Sequence, residues 1–134
     1  MDINQTRIQA LIEAPAETLN VELKSWIDPT NPEGRSKIVR AALALRNRNG
    51  GELIIGFHDK TRLPDTKNVP GDVRQAFHPD VIQGLISKYA SDLFEVAVGY
   101  GERQSQLYPV IVIPSGVRTV VAAKADLRIP GRPP

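Results

Sequence analysis

The chain has 134 residues, 41% of them hydrophobic and 24% charged, enough for one soluble domain around one core. It carries no cysteine, which excludes disulfides, thiolate catalysis and Cys-based zinc sites. Its formal net charge of +2 permits contact with phosphates without showing it, because the placement of the positive charge decides.

Ile3, Ile8, Leu11 and Ile12 recur among polar positions and predict a short amphipathic helix over residues 3–13, stopped before Pro15. Residues 20–26 alternate, with Val21 and Leu23 on one side and Glu22, Lys24 and Trp26 on the other, as a strand with one core face does. A turn-rich loop, residues 28–34, ends in Asn31-Pro32, a helix cap followed by proline at the first helical position. Ile38, Val39, Ala42, Leu43 and Leu45 then form the apolar stripe of the clearest helix in the chain, and Gly50 and Gly51 stop it.

Residues 52–57, ELIIGF, read as a buried strand, and a long polar loop follows. Val81, Ile82, Leu85, Ile86 and Tyr89 predict a helix over residues 79–90. LFEVAVGY and QLYPVIVIP alternate around GERQS as a β-hairpin, with Pro109 placing the second strand at an edge or at a bulge. RTVVAA, residues 118–123, is a further strand candidate, and the closing LRIPGRPP reads as a loop. The order helix, strand, helix, strand, helix, hairpin, strand predicts an α/β (α+β) fold with a mixed β-sheet flanked by helices. No run is long and apolar enough for a membrane span, and the N-terminus lacks the layout of a signal peptide, which fits a cytoplasmic protein.

Two constellations carry chemistry. The acidic one is Glu17, Glu22 and Asp59. If the strands at 20–26 and 52–57 are neighbours, and Glu17 lies in the turn after Pro15, three carboxylates meet at one edge of the sheet. Hard divalent cations such as Mg²⁺ or Mn²⁺ take such oxygen ligands and activate water against a phosphodiester. Lys24, on the same strand face as Glu22, would stabilise the developing charge. The bland alternative is a set of solvated strand-end charges with Glu22 and Lys24 as a surface pair. The basic constellation is Arg35, Lys37, Arg40, Arg46 and Arg48 on the long helix, with Lys60, Arg62 and Lys67 after Asp59. It reads either as a phosphate-binding surface or as a solvated helix face.

Other candidates are excluded or left to structure. RNRNGGELIIGF is not a P-loop, since it lacks the lysine and hydroxyl residue and runs from helix to strand. His58 reads as a strand-end residue and His78 as a helix start, with no nucleophile signature beside either. Trp26 reads as core or sheet-edge packing. With only three Phe and three Tyr besides, the aromatics are too few for single-strand binding on stacked rings.

The series E-T-L-N-V-E-L-K (17–24), an Ala-rich basic helix, and R-N-R-N-G-G-E-L-I-I-G-F-H-D (46–59) resembles the Schlafen AlbA-type domain family, often described as DNA-binding. Ala42, Ala44, Asn47 or Asn49, Gly50, Gly51, Gly56 and Asp59 fall at the family's motif positions, over about residues 5–115. The resemblance implies an α/β fold with a mixed sheet and a nucleic-acid partner, RNA such as tRNA or DNA. In animal Schlafen proteins the fold is a metal-dependent endoribonuclease, which would make Glu17, Glu22 and Asp59 the ligands of Mg²⁺ or Mn²⁺, with Lys24 beside them. Lys37, Arg40, Arg46, Arg48, Lys60 and Arg62 would hold the backbone. Bacterial members include transcriptional regulators and proteins in phage-defence contexts, so a non-catalytic DNA-binding or dimerisation module, or a homodimer pairing through a sheet edge, is the alternative. This chain departs from the family in its more basic L-R-N-R-N-G-G and in ending at GRPP, where the family continues with a strand; the expectation is a single domain over residues 1–134, truncated at its C-terminal end.

Overall fold

Eight elements run through residues 3–115, the part of the chain that the computed structural model describes. In order they are α1 (Gln5–Glu13), β1 (Val21–Lys24), α2 (Pro32–Asn47), β2 (Gly51–Ile55), α3 (Val73–Ala76), α4 (Pro79–Tyr89), β3 (Ala97–Arg103) and β4 (Gln106–Ile113). The strands form one mixed sheet in the order β1-β2-β4-β3. β1 and β2 run parallel, with Glu22 opposite Leu53, as the α2 crossover between them requires. β4 pairs antiparallel with both β2 and β3. The strand candidate at 118–123 and the closing loop lie outside the described residues.

Local chemistry sets the element ends. Asn31 caps α2 by accepting the Gly34 N–H at 2.7 Å, and Pro32 opens the helix. At the other end the Gly50 N–H reaches the Leu45 carbonyl at 2.7 Å and the Asn49 N–H the Arg46 carbonyl at 3.2 Å. This is a Schellman stop in which Asn49, at φ 70°, takes the left-handed position usually given to glycine. The hairpin turns at Gln104 and Ser105, both at positive φ, as the twist of a two-residue turn demands.

Leu53, Ile54 and Ile55 are all buried, so β2 is covered on both faces. α1 lies against β3, where Gly101 gives Ile12 room: a Cβ there would come within 2.5 Å of the Ile12 Cγ1. Tyr100, one residue earlier and so on the opposite face, donates its hydroxyl to the Phe77 carbonyl between α3 and α4 at 2.8 Å.

Two expectations change. The strand expected over 20–26 stops at Lys24, which frees Trp26 from the polar face; it is buried, stacked on Tyr108 at 5.6 Å and tilted against Phe77 at 6.2 Å. Pro109 is not on an edge strand, because β4 lies inside the sheet. It is tolerated because the β2–β4 ladder ends at Ile54–Val110, so β4 is paired on one side only at the proline. Val73–Ala76, just after the polar loop, forms a short helical turn capped by Asp72.

Candidate nucleic-acid interface

The parallel pair β1/β2 has its carboxyl ends at Lys24 and Ile55, where open α/β sheets place their ligand crevices. Gly56 and Phe57 continue β2 there, and both N–H groups reach the Lys24 carbonyl, at 2.7 and 3.2 Å. Gly56 adopts φ 108°, and a Cβ on it would meet Tyr108 at 2.6 Å and the Trp26 ring at 2.8 Å, so only glycine lets the tryptophan seat against the strand end.

The loop after β2 folds back onto β1 through Asp65, a buried carboxylate. It accepts the Trp26 N–H at 3.2 Å and the Lys67 N–H at 2.9 Å, while its own carbonyl takes the Trp26 indole N–H at 2.8 Å. The His58 ring stands between Ser25 and this aspartate. Its Nδ1 lies 3.3 Å from the Ser25 Oγ and its Nε2 3.9 Å from the Asp65 Oδ1. Lys24, Ser25, Lys37 and Asp59 line an open cleft of about 240 Å³, and a second cavity of about 550 Å³ shares Trp26 and Ile27 with it.

Asp59, Lys60 and Arg62 are exposed on the loop that leaves β2, and Lys67 follows on the same excursion. Lys60, Arg62 and Lys67 make no ion pair among the described residues. Lys24 pairs with Glu22 at 3.7 Å, both half-buried, and Lys37 with Glu33 at 3.3 Å, both exposed; the exposed pair exchanges easily for a phosphate.

The remaining basic candidates separate from this group. Arg48 is the C-cap of α2, eleven residues from Lys37 and so about 16 Å along the helix, at the other end of the sheet. Arg40 is the exception: it is exposed one helical turn from Lys37. Arg46 is buried: its Nη1 donates to the Pro114 and Ser115 carbonyls at 2.8 and 2.9 Å, and its guanidinium lies over the Phe94 ring at 4.7 Å. Its charge therefore anchors the chain after β4 and is out of reach of a ligand.

The acidic trio is spread over separate tasks. Glu17 accepts the Leu23 N–H at 3.2 Å, on the side of β1 turned away from β2. Among the described residues β1 is an edge, and the glutamate blunts it. Glu22 is held by Lys24, and Asp59 lies in the cleft wall. Among the described residues no three His, Asp or Glu side chains form a group that could hold a metal ion. The set expected to bind Mg²⁺ or Mn²⁺ does not fit one in this arrangement, so no step is derived through a metal.

Ser25 and Asp65 had no signal in the sequence. Asp65 sits in a stretch of turn residues, and Ser25 and His58 are thirty-three positions apart, so only the parallel pairing of β1 and β2 brings them together.

No family model and no curated protein matches the chain. Among solved structures it is similar to the DIP2311 protein of Corynebacterium diphtheriae, with 18% identity and a TM-score of 0.60 over 87% of this chain and 22% of that one. The chain thus spans about a fifth of that protein's length. It is also similar to the N-terminal domain of a RecG-related ATP-dependent DNA helicase protein of Nitrosomonas europaea, with 14% identity and a TM-score of 0.58 over 98% of this chain and 87% of that domain. At such identities the likeness is one of architecture: the four-stranded mixed sheet flanked by helices belongs among these α/β domains.

Proposed function

We propose that the chain is a nucleic-acid-binding domain of Schlafen AlbA-like type, whose contact surface is the carboxyl end of β1 and β2 with the loop that follows β2. The observation that carries this reading is the gathering there of Lys24 and Lys37 in one cleft, beside a loop that exposes Lys60, Arg62 and Lys67. Exposed cations around the end of a parallel sheet can track a phosphate backbone, and they supply most of the affinity such a domain needs. The sequence motifs support the same reading, as does the likeness to a domain named for its relation to a DNA helicase. The separate engagement of Glu17 and Glu22 favours binding over metal-dependent cleavage.

The test is fluorescence anisotropy with a structured RNA and a DNA duplex over a salt series. The Lys24→Gln/Lys37→Gln double variant should fold normally and bind about 10-fold more weakly. Its log Kd against log salt slope should flatten by about 0.9 for each phosphate of duplex DNA that the variant no longer neutralises. An unchanged slope overturns the assignment of the surface. Mn²⁺-dependent cleavage of tRNA that Glu22→Ala abolishes would overturn the structural roles given to the carboxylates.

A further inference from the structure

We propose that Ser25 is a nucleophile toward phosphodiesters, activated by His58, which Asp65 positions, without a metal ion. The case begins with a chain of three groups at one end of the sheet: Ser25 Oγ, 3.3 Å from His58 Nδ1, and His58 Nε2, 3.9 Å from the buried Asp65 carboxylate. Asp65 is fixed by the Trp26 and Lys67 main-chain N–H groups. A histidine between a rigid, buried aspartate, 3.9 Å from one ring nitrogen, and a serine hydroxyl within hydrogen-bond distance of the other has the layout that turns serine into a nucleophile. The imidazole relays a proton whichever nitrogen faces the serine. Such contacts are often long without substrate and tighten when it binds.

The cleft identifies the reactive end. Ser25 lines it, together with Lys24 and Lys37. Two cations beside a nucleophile suit a centre that is already anionic and gains charge on attack, as a phosphodiester does. The Ser25 Oγ–P bond forms as the serine proton passes to His58 Nδ1. The P–O bond to the leaving alcohol breaks, and that oxygen takes the proton back from His58. Water then attacks the phosphoseryl phosphorus, giving its proton to His58, and Ser25 leaves with it; the net reaction is hydrolysis, with no other reactant.

The choice of phosphodiester rests on the nucleic-acid reading, whereas the nucleophile itself can be tested without it. Diisopropyl fluorophosphate is the probe, with mass spectrometry of the modified peptide as readout. The intact chain should be labelled at Ser25, Ser25→Ala should not, and His58→Ala should label at least about 100-fold more slowly. Free imidazole should restore part of the His58→Ala rate, a rescue that a merely structural histidine would not allow. Asp65→Glu should keep more labelling than Asp65→Asn. Hydrolysis of bis(p-nitrophenyl) phosphate should follow the same order in excess EDTA. No labelling of Ser25 in folded protein, or labelling equal in His58→Ala, overturns the proposal. Anisotropy with RNA on the intact chain keeps the two readings apart: binding without labelling of Ser25 sinks only the nucleophile, and labelling without binding sinks only the nucleic-acid surface.

Discussion

The two ends of the parallel pair use charge in opposite ways. At the amino end of β2 two charges, Glu52 and Arg46, are enclosed, while Arg48 stays exposed at the end of α2. Glu52 is buried and takes a two-pronged ion pair from Arg7 of α1, while Arg46 closes on the carbonyls after β4. At the carboxyl end Lys24, Lys37 and Asp59 line a cleft open to solvent, and the buried charge, Asp65, holds the main chain of Trp26 on one side and faces His58 on the other. One end spends its charges on holding helices and chain to the sheet; the other keeps them within reach of a ligand. Substitutions at the first should cost stability and leave binding intact, and substitutions at the second should do the reverse.

The strongest break in that comparison is Arg46→Met. The replacement preserves length and apolar contact but removes the donor to the Pro114 and Ser115 carbonyls and the charge over Phe94. A loss of about 3 kcal/mol is expected in urea unfolding. Nucleic-acid affinity measured on the folded fraction should not change. A large loss of affinity without a loss of stability would return Arg46 to the binding surface.

Arg7→Ala comes next. Glu52 draws the Arg7 guanidinium pKa above its ordinary value, first through the side-chain hydrogen bond and then through charge, against a smaller opposing effect of burial. Removing Arg7 leaves the Glu52 carboxylate buried without its cation. Because Arg7 itself is half exposed, the cost should be about 2 kcal/mol, below that of breaking a fully buried pair. Arg7→Ala/Glu52→Gln should recover part of it, since the uncompensated charge is then gone. Equal stability of the two variants would mean that Glu52 is adequately solvated and the amino end less enclosed than its burial implies.

Most of the architecture was legible because periodicity, caps and glycines are local signals. Asn31-Pro32 opened α2 and the apolar stripe from Ile38 to Leu45 gave its buried face, while the β1–β2 neighbourhood stayed a condition until the parallel pairing met it. Pro109 misled because its meaning depends on how far the neighbouring ladder extends, which is a tertiary fact. The site was legible only in part. Lys24, Lys37 and Asp59 do share a cleft. Arg46 and Arg48 lie two apart on paper, yet the helix turns one into the core and leaves the other at its exposed end. Glu17 resembled a ligand in sequence, but an edge strand presents an N–H that a nearby carboxylate will take. Ser25, His58 and Asp65 form no pattern until the loop after β2 folds back.

The smallest expected effect is at the rim of the larger cavity, where Asp28 turns the chain from β1 toward α2. Its carboxylate is exposed and accepts the Thr30 hydroxyl at 2.6 Å and the Thr30 N–H at 2.8 Å. These bonds, the hydroxyl first, hold its pKa below the usual 3.8. Thr30→Val removes the hydroxyl and keeps the N–H, so the Asp28 pKa should move up toward its ordinary value in a carboxyl NMR titration. A depressed pKa in the folded state stabilises above the ordinary carboxylate range, and that contribution is lost as pH falls through the folded value. The variant should therefore be slightly less stable than the parent at neutral pH, and the difference should close in acid. An Asp28 titration that Thr30→Val leaves unmoved would show that the turn is set by the Asn31 cap instead, and that even this exposed carboxylate at the carboxyl end is held by the backbone, as charges at the amino end are.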